Sequence, residues 1–426
     1  MIAATSSDAV DSAAVDSPAS WRRLALAVLL SSIGGVGMWS GVVVLPAVQA
    51  EFGSGRSEAS LPYTLAMIGF AFGGVLMGRL ADRFGIVVPL AIGASALGLG
   101  YAAAALSPSL LVFALANGSL SGALGSSASF GPLIADISHW FERRRGIAVA
   151  VCASGNYVAG AVWPPLVQRA VEAFGWRHTY LVIGVFCVAT MLPLAYALRR
   201  RPPARAAAVP GAPVPMQASS AALGLSPGVL QGFLVVAGLA CCVAMAMPQV
   251  HIVAYCSDLG YGVARGAEML ALMLGLGIVS RVASGFIADR IGGLATLFIG
   301  SALQGLALVL YFLFDGLASL YVISALFGLF QGGIVPSYAI IVRRYFPADE
   351  AGARVGIVIM ATLFGMALGG WLSGVIFDLA GSYRAAFAHG LLWNFLNLAI
   401  VGWLLQRGAP GIGLGRRALA AESSAR

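Results

Sequence analysis

Apolar runs long enough to cross a bilayer recur along this chain from residue 24 to residue 406, each closed by an arginine, a proline or a glycine. A hydrocarbon layer about 30 Å thick takes roughly 20 helical residues at 1.5 Å each, and within it every backbone N–H and C=O has to be satisfied inside the segment. Such runs fold as spanning helices. With 59% of its 426 residues hydrophobic and 10% charged, the chain is far too apolar for a soluble protein of its size. The sequence predicts an all-α integral membrane protein.

Six runs fall at 24–48, 60–80, 86–106, 109–136, 146–170 and 178–198, and six more at 228–252, 266–288, 293–313, 317–342, 354–378 and 386–406. Between the two sets, residues 199–227 begin RRRPPAR and continue in Ala, Pro and Ser without apolar periodicity, the pattern of a polar linker. Residues 1–21, rich in Ala, Ser and Asp, read as a disordered tail, and residues 407–426 as a second tail. The first run is too long for a signal-peptide core and stays attached. The chain therefore divides into six-helix halves at 22–198 and 228–406.

An even number of crossings puts both ends on one side, and the arginines say which. All 25 basic side chains are arginine. Arg281 apart, only Arg56, Arg169, Arg177, Arg265 and Arg384 fall on the face away from the ends, so the positive-inside rule makes both tails and the linker cytoplasmic. The formal net charge of +8 is spread over helix ends, which argues orientation in a cell membrane and excludes a nucleic-acid surface.

The halves are related to each other. GRLADRFG at 78–85 matches GFIADRIG at 285–292 in Gly, Ala, Asp, Arg and Gly. HWFERRRG at 139–146 and RRYFPADEAG at 343–352 take equivalent places, as do GWRHTY at 175–180 and GSYRAAF at 381–387. Repeats of this kind put a substrate between the halves, near the midplane. Gly69 with Gly73, Gly74 with Gly78, Gly365 with Gly369 and Gly370 with Gly374 make small-residue faces on the second and eleventh spans, suited to close packing or to sliding.

Arg281 is the sharpest chemical signal. A guanidinium at the centre of a lone helix costs about 2.5–3.5 kcal/mol on insertion scales, so such residues face a cavity or a partner. Its helical neighbours Gly277, Ser284 and Gly285 leave a narrow face, and no deeply placed Asp or Glu offers itself as a partner. An organic anion fits: the fork matches a carboxylate, and a pair 4 Å apart at an effective dielectric of 20 gains about 4 kcal/mol. His251, ending the seventh span, is a proton-linked partner of Arg281 if that helix leans inward, since histidine alone among the candidates switches near neutral pH, or equally an interfacial histidine. Trp39 lies among Gly34, Gly35, Gly37 and Gly41, a bendable stretch suited to a gate. Cys152, Cys187, Cys241, Cys242 and Cys256 sit in apolar helices without ligand spacing and read as packing thiols. No nucleophile with its base, no metal cluster and no phosphate loop is visible, so no enzyme, metal or cofactor is expected.

Over residues 22–406 the chain resembles the major facilitator superfamily, and the GRLADRFG stretch resembles that family's loop motif. The resemblance implies that Asp82 with Arg83, and Asp289 with Arg290 in the second half, latch the cytoplasmic helix ends in the outward-facing state. It also places Ser324, Gln331 and Tyr338 on the tenth span, and Asn117 with Ser121 on the fourth, on cavity-lining helices. There Asn117, Gln331 and Tyr338 are candidates to bond a substrate oxygen, or equally a neighbouring helix. The run R-x-x-S-G-x-x-x-D-R at 281–290 resembles the eighth helix of the monocarboxylate transporter and oxalate/formate antiporter branch. Two departures stand out. Gly277 replaces an Asp of the eukaryotic carriers, and the lysine of the oxalate antiporters is absent, which favours a monoanion. The expectation is a secondary carrier of lactate- or pyruvate-like acids, proton-coupled and working as a monomer in the lipid bilayer. An anion exchanger or a drug-type exporter is the alternative.

Overall fold

The structure, a computed structural model, describes residues 15–200 and 223–408. Residues 1–14 and 409–426 of the expected tails, and 201–222 of the expected linker, lie outside it. Twelve spanning helices run in sequence: α1 Pro18–Phe52, α2 Arg56–Phe84, α3 Val87–Ala105, α4 Leu110–Trp140, α5 Arg145–Phe174, α6 Trp176–Ala197, α7 Pro227–Asp258, α8 Val263–Ile291, α9 Gly293–Leu313, α10 Leu317–Tyr345, α11 Glu350–Ala380 and α12 Tyr383–Gly408. Pro18 and Gly408 therefore end on the same side, here called the terminal face; the opposite side is the far face.

The first helix starts earlier than its apolar run. Ser17 accepts the Ser20 N–H as its N-cap and Pro18 takes the first turn, where a missing N–H costs nothing. Asp16 in turn accepts the Arg143 N–H at 3.0 Å, so the end of the expected tail packs on the α4–α5 turn.

Several spans are broken rather than straight. α1 is interrupted at Gly35, α5 at Ser154 and α10 at Gly332–Gly333, and α4 carries a π-helical stretch, Ala116–Ser126. The break in α10 has a sequence cause: Pro336 lacks the N–H that the Gly332 carbonyl would otherwise accept.

The duplication is structural as well as sequential. Gly85 and Gly292 close the two Asp-Arg turns at φ 83° and 85°, a region open to glycine, and donate to Ala81 and Ala288 at 2.8 and 2.9 Å. Each half has its own apolar core. One cluster draws only on residues between Leu24 and Leu198; the other draws mainly on the second half but takes in Met38, Trp39, Val42, Tyr63, Met67, Phe70, Tyr157 and Ala159 from the first. The interface between halves is thus continuous with the second core.

The small-residue faces divide their work. Gly69 and Gly73 lie against Gly118 and Ala123 of α4, and Gly365 and Gly369 against the α7 backbone, so these equivalent pairs pack within their own halves. Only Gly370 and Gly374 cross between halves, against Tyr63 and Arg56. Gly74 and Gly78 face open space.

Candidate functional site

Arg281 projects from α8 roughly 15 Å of helical rise from the terminal-face end at Ile291. Three groups hold its guanidinium. Nε donates to the Gly332 carbonyl at 3.4 Å, Nη1 donates to the Ala153 carbonyl at 3.0 Å, and the Tyr157 ring lies 4.4 Å below the central carbon. The Gly332 carbonyl is the one orphaned by Pro336, and Ala153 precedes the break in α5, so each acceptor comes from an interrupted helix. None of the ion pairs among the described residues includes Arg281. Nη2 has no protein partner among them either. The charge is met by carbonyl dipoles and a ring face, which leaves donors for one added anion.

Gly277 explains how the ring reaches that position. A Cβ there would sit 2.4 Å from the Tyr157 ring, so the notch on α8 is filled by an aromatic side chain from the other half. Trp39 braces the same turn: its Nε1 donates to the Asn156 carbonyl at 3.3 Å and its ring edge lies over Gly160.

The other expected residues lie elsewhere. Gln331 directly precedes Gly332; its Oε1 accepts from Gln249, and its Nε2 is buried without a partner among the described residues. Tyr338 accepts from Asn397 at 2.8 Å and Ser324 bonds Tyr311 at 2.7 Å, so two members of the polar stripe on α10 tie that helix to α12 and α9. Asn117 donates to the Phe113 carbonyl of its own helix at 2.8 Å, at the start of the π-helical stretch.

His251 does not join Arg281. Its Nε2 donates to the Gly370 carbonyl at 2.8 Å, which leaves Nδ1 to accept from the Tyr383 hydroxyl at 3.1 Å. It sits roughly 10 Å of rise from the far-face end of α7, whereas Arg281 sits roughly 27 Å from that end of α8. The inward lean that would join them is absent: α7 packs closely on α11 and α12, and the ring is sealed between them.

A second cluster joins the halves at the far face. Asp378 of α11 accepts the N–H groups of Arg56 and Ser57 at 2.7 and 2.8 Å and the Ser57 hydroxyl at 2.6 Å, capping α2 from the opposite half. Arg56 Nη2 also pairs with Asp258 of α7 at 2.5 Å. From there inward, Thr64 donates to the Ala367 carbonyl at 3.2 Å, and Phe72 meets Phe364 with centroids 5.8 Å apart. On the terminal-face side of that ring contact and of Arg281, no hydrogen bond, ion pair or ring contact joins the halves among the described residues. Asp82, Arg83, Asp289 and Arg290 are exposed there and form no ion pairs among the described residues. The halves are closed at the far face and unlatched at the terminal face.

Tyr157, the two carbonyls and the far-face cluster escaped sequence reasoning. An aromatic residue on an apolar span reads as packing, and a free carbonyl carries no side-chain signal. Arg56, Asp258 and Asp378 did carry one, being opposite charges at facing span ends on the side where arginines are scarce.

A family model described as Major Facilitator Superfamily matches residues 26–319 and 285–422. Among curated proteins, Monocarboxylate transporter 13 of Bos taurus is 28% identical over 76% of this chain and 75% of its own length. The MFS-type transporter pynF of Aspergillus niger is 25% identical over 84% and 78%. Among solved structures, the nucleoside transporter NupG superposes with a TM-score of 0.70 at 14% identity over 90% of this chain and 99% of its own. A bacterial homologue of the human lysosomal transporter Spinster gives 0.65 at 14% identity over 92% and 96%.

Proposed function

The chain belongs to the major facilitator superfamily, and on that premise we propose that it is a secondary carrier of small monocarboxylates of the lactate and pyruvate type, driven by a proton gradient through alternating access. The observation that carries the reading is Arg281: a cation well inside the membrane, at the junction of the two halves, with no carboxylate partner among the described residues and donors to spare. A substrate carboxylate supplies the missing charge, and the attraction of about 4 kcal/mol at 4 Å offsets the cost of placing the arginine there. One cation suits one carboxylate. The names of the curated relatives point to the same substrate class.

In this reading the terminal face is cytoplasmic and the closed far face is external. Substrate enters from outside when Arg56 and Ser57 part from Asp258 and Asp378, and the Asp82–Arg83 and Asp289–Arg290 turns then close the cytoplasmic side. Trp39 supports the turn that carries Tyr157, and Gln331, the residue before Gly332, is assigned to the 2-oxo or 2-hydroxy oxygen because its Nε2 is buried without a partner among the described residues. His251 is remote from the anion, so a proton taken up there acts on the packing of α7 against α11 and α12.

Uptake of labelled lactate into proteoliposomes, with and without an inward proton gradient, tests the proposal. Gradient-stimulated, saturable uptake lost in a folded Arg281→Gln variant is expected; equal uptake in the variant refutes the role of Arg281. The missing carboxylate beside Arg281 also favours a second reading, exchange of one organic anion for another. Uptake that needs preloaded anion and ignores the proton gradient would select it.

A further inference from the structure

We propose that Tyr157 is a positioning residue of the anion site: its ring face, seated in the notch left by Gly277, holds the Arg281 guanidinium in the orientation that receives the carboxylate. The inference rests on the reading of Arg281 as the anion anchor and concerns how that anchor is fixed.

A long side chain with four rotatable bonds loses much of its freedom when it binds, and a site that orders it beforehand binds more tightly. Arg281 is ordered from three directions by the Gly332 carbonyl, the Ala153 carbonyl and the Tyr157 ring 4.4 Å away. The carbonyls restrain Nε and Nη1, and the ring face covers the central carbon. A guanidinium over a ring that presents its flat face keeps its in-plane N–H donors open, which is the geometry a carboxylate needs for paired hydrogen bonds, and the Arg281 central carbon lies over the Tyr157 ring face. The Tyr157 hydroxyl has no hydrogen-bond partner among the described residues, so the face of the ring is the part in use.

Gly277 makes the arrangement possible. Any side chain there would overlap the ring, at 2.4 Å for a Cβ, so the space that could hold a counter-charge one turn from Arg281 is given to an uncharged aromatic group. Tyr157 and Ala153 belong to the first half while Arg281 and Gly332 belong to the second. The guanidinium is therefore held from all three directions only when the halves meet at this level, and rocking them apart there leaves it the Gly332 carbonyl alone.

The test uses the full carrier in proteoliposomes. Tyr157→Phe is expected to keep KM for lactate near the wild-type value. Tyr157→Leu, which keeps bulk but removes the face, is expected to raise KM about tenfold with a smaller change in kcat. A ring-fluorinated phenylalanine at the same position, equal in shape but with a weakened quadrupole, falls between them, and Gly277→Ala behaves like the leucine variant. A substrate-free readout accompanies these: the drop in apparent Tm caused by Tyr157→Leu in detergent is smaller in the Arg281→Gln background than in the wild type. If no monocarboxylate is transported while the Tm effects remain coupled, the substrate reading fails and the ring–guanidinium pair stands. A leucine or fluorinated variant with the KM of the phenylalanine variant, or additive Tm effects, overturns the proposal.

Discussion

At the scale of single residues, Arg23 and Arg281 show opposite ways of satisfying a guanidinium within the helix bundle. Arg23 of α1 makes a paired contact with Asp136 of α4, Nε to Oδ2 at 2.7 Å and Nη2 to Oδ1 at 2.9 Å, and lies 4.5 Å from the Trp140 ring. Both partners are nearly buried, at 5% and 7% exposure. Removing one side of such a pair leaves an uncompensated charge, so Asp136→Asn is expected to cost about 3–5 kcal/mol of stability. Thermal unfolding in detergent reads that loss. The double replacement Arg23→Met with Asp136→Leu should recover most of it, because a well-packed apolar pair removes the desolvation cost on both sides. Arg281 has no such partner among the described residues, and that contrast is what the proposed anion site rests on. The sequence made Arg281 legible because a cation in mid-span is rare, whereas Asp136 looked like a span end and its pairing with Arg23 depends on how two distant segments meet.

At the scale of helices, broken spans supply the polar groups that intact helices would keep to themselves. Pro336 frees the Gly332 carbonyl, and the break lets Gly332 pass within contact of α8, where an added Cβ would lie 2.3 Å from the Gly277 oxygen. Gly332→Ala is expected to cost about 1–3 kcal/mol through overpacking and to weaken lactate uptake by displacing the Arg281 acceptor. Uptake at normal KM with an unchanged Tm would count against that geometry. The helix end at Arg56 is a separate device. Asp378→Asn removes a charged cap from α2, worth about 1 kcal/mol or more, and should loosen the far-face closure. Labelling of Thr64→Cys by a membrane-impermeant maleimide, in a background without the five native cysteines, should then quicken by roughly tenfold. The apolar runs located the helices well, but neither the break at Ser154, whose hydroxyl turns back on the Ala150 carbonyl, nor the π-helical stretch in α4 interrupts the apolar pattern from which the spans are read.

At the scale of the whole molecule, two six-helix halves meet along α2–α11, α5–α8 and α1–α7, and among the described residues the hydrogen bonds, ion pairs and ring contacts between them end at the level of Arg281 on one side. The repeat, the number of spans and the two Asp-Arg turns were all legible from the chain alone. The state of closure was not, since it depends on which of two faces the halves share at a given moment. Joining Ser57→Cys to Asp378→Cys, whose parent side chains lie 2.6 Å apart, should lock the far face. Oxidation is expected to stop lactate uptake and reduction to restore it; continued uptake in the cross-linked protein would refute rocking about this contact. The most direct measurement of the central claim is counterflow of labelled pyruvate into proteoliposomes preloaded with lactate, lactamide or oxalate, for the wild type and Arg281→Gln. The account expects lactate to drive pyruvate entry in the wild type, lactamide to fail for want of a carboxylate, oxalate to drive it weakly because one cation meets two charges, and the variant to show no counterflow at all. Equal counterflow with lactamide, or with Arg281 replaced, would contradict it.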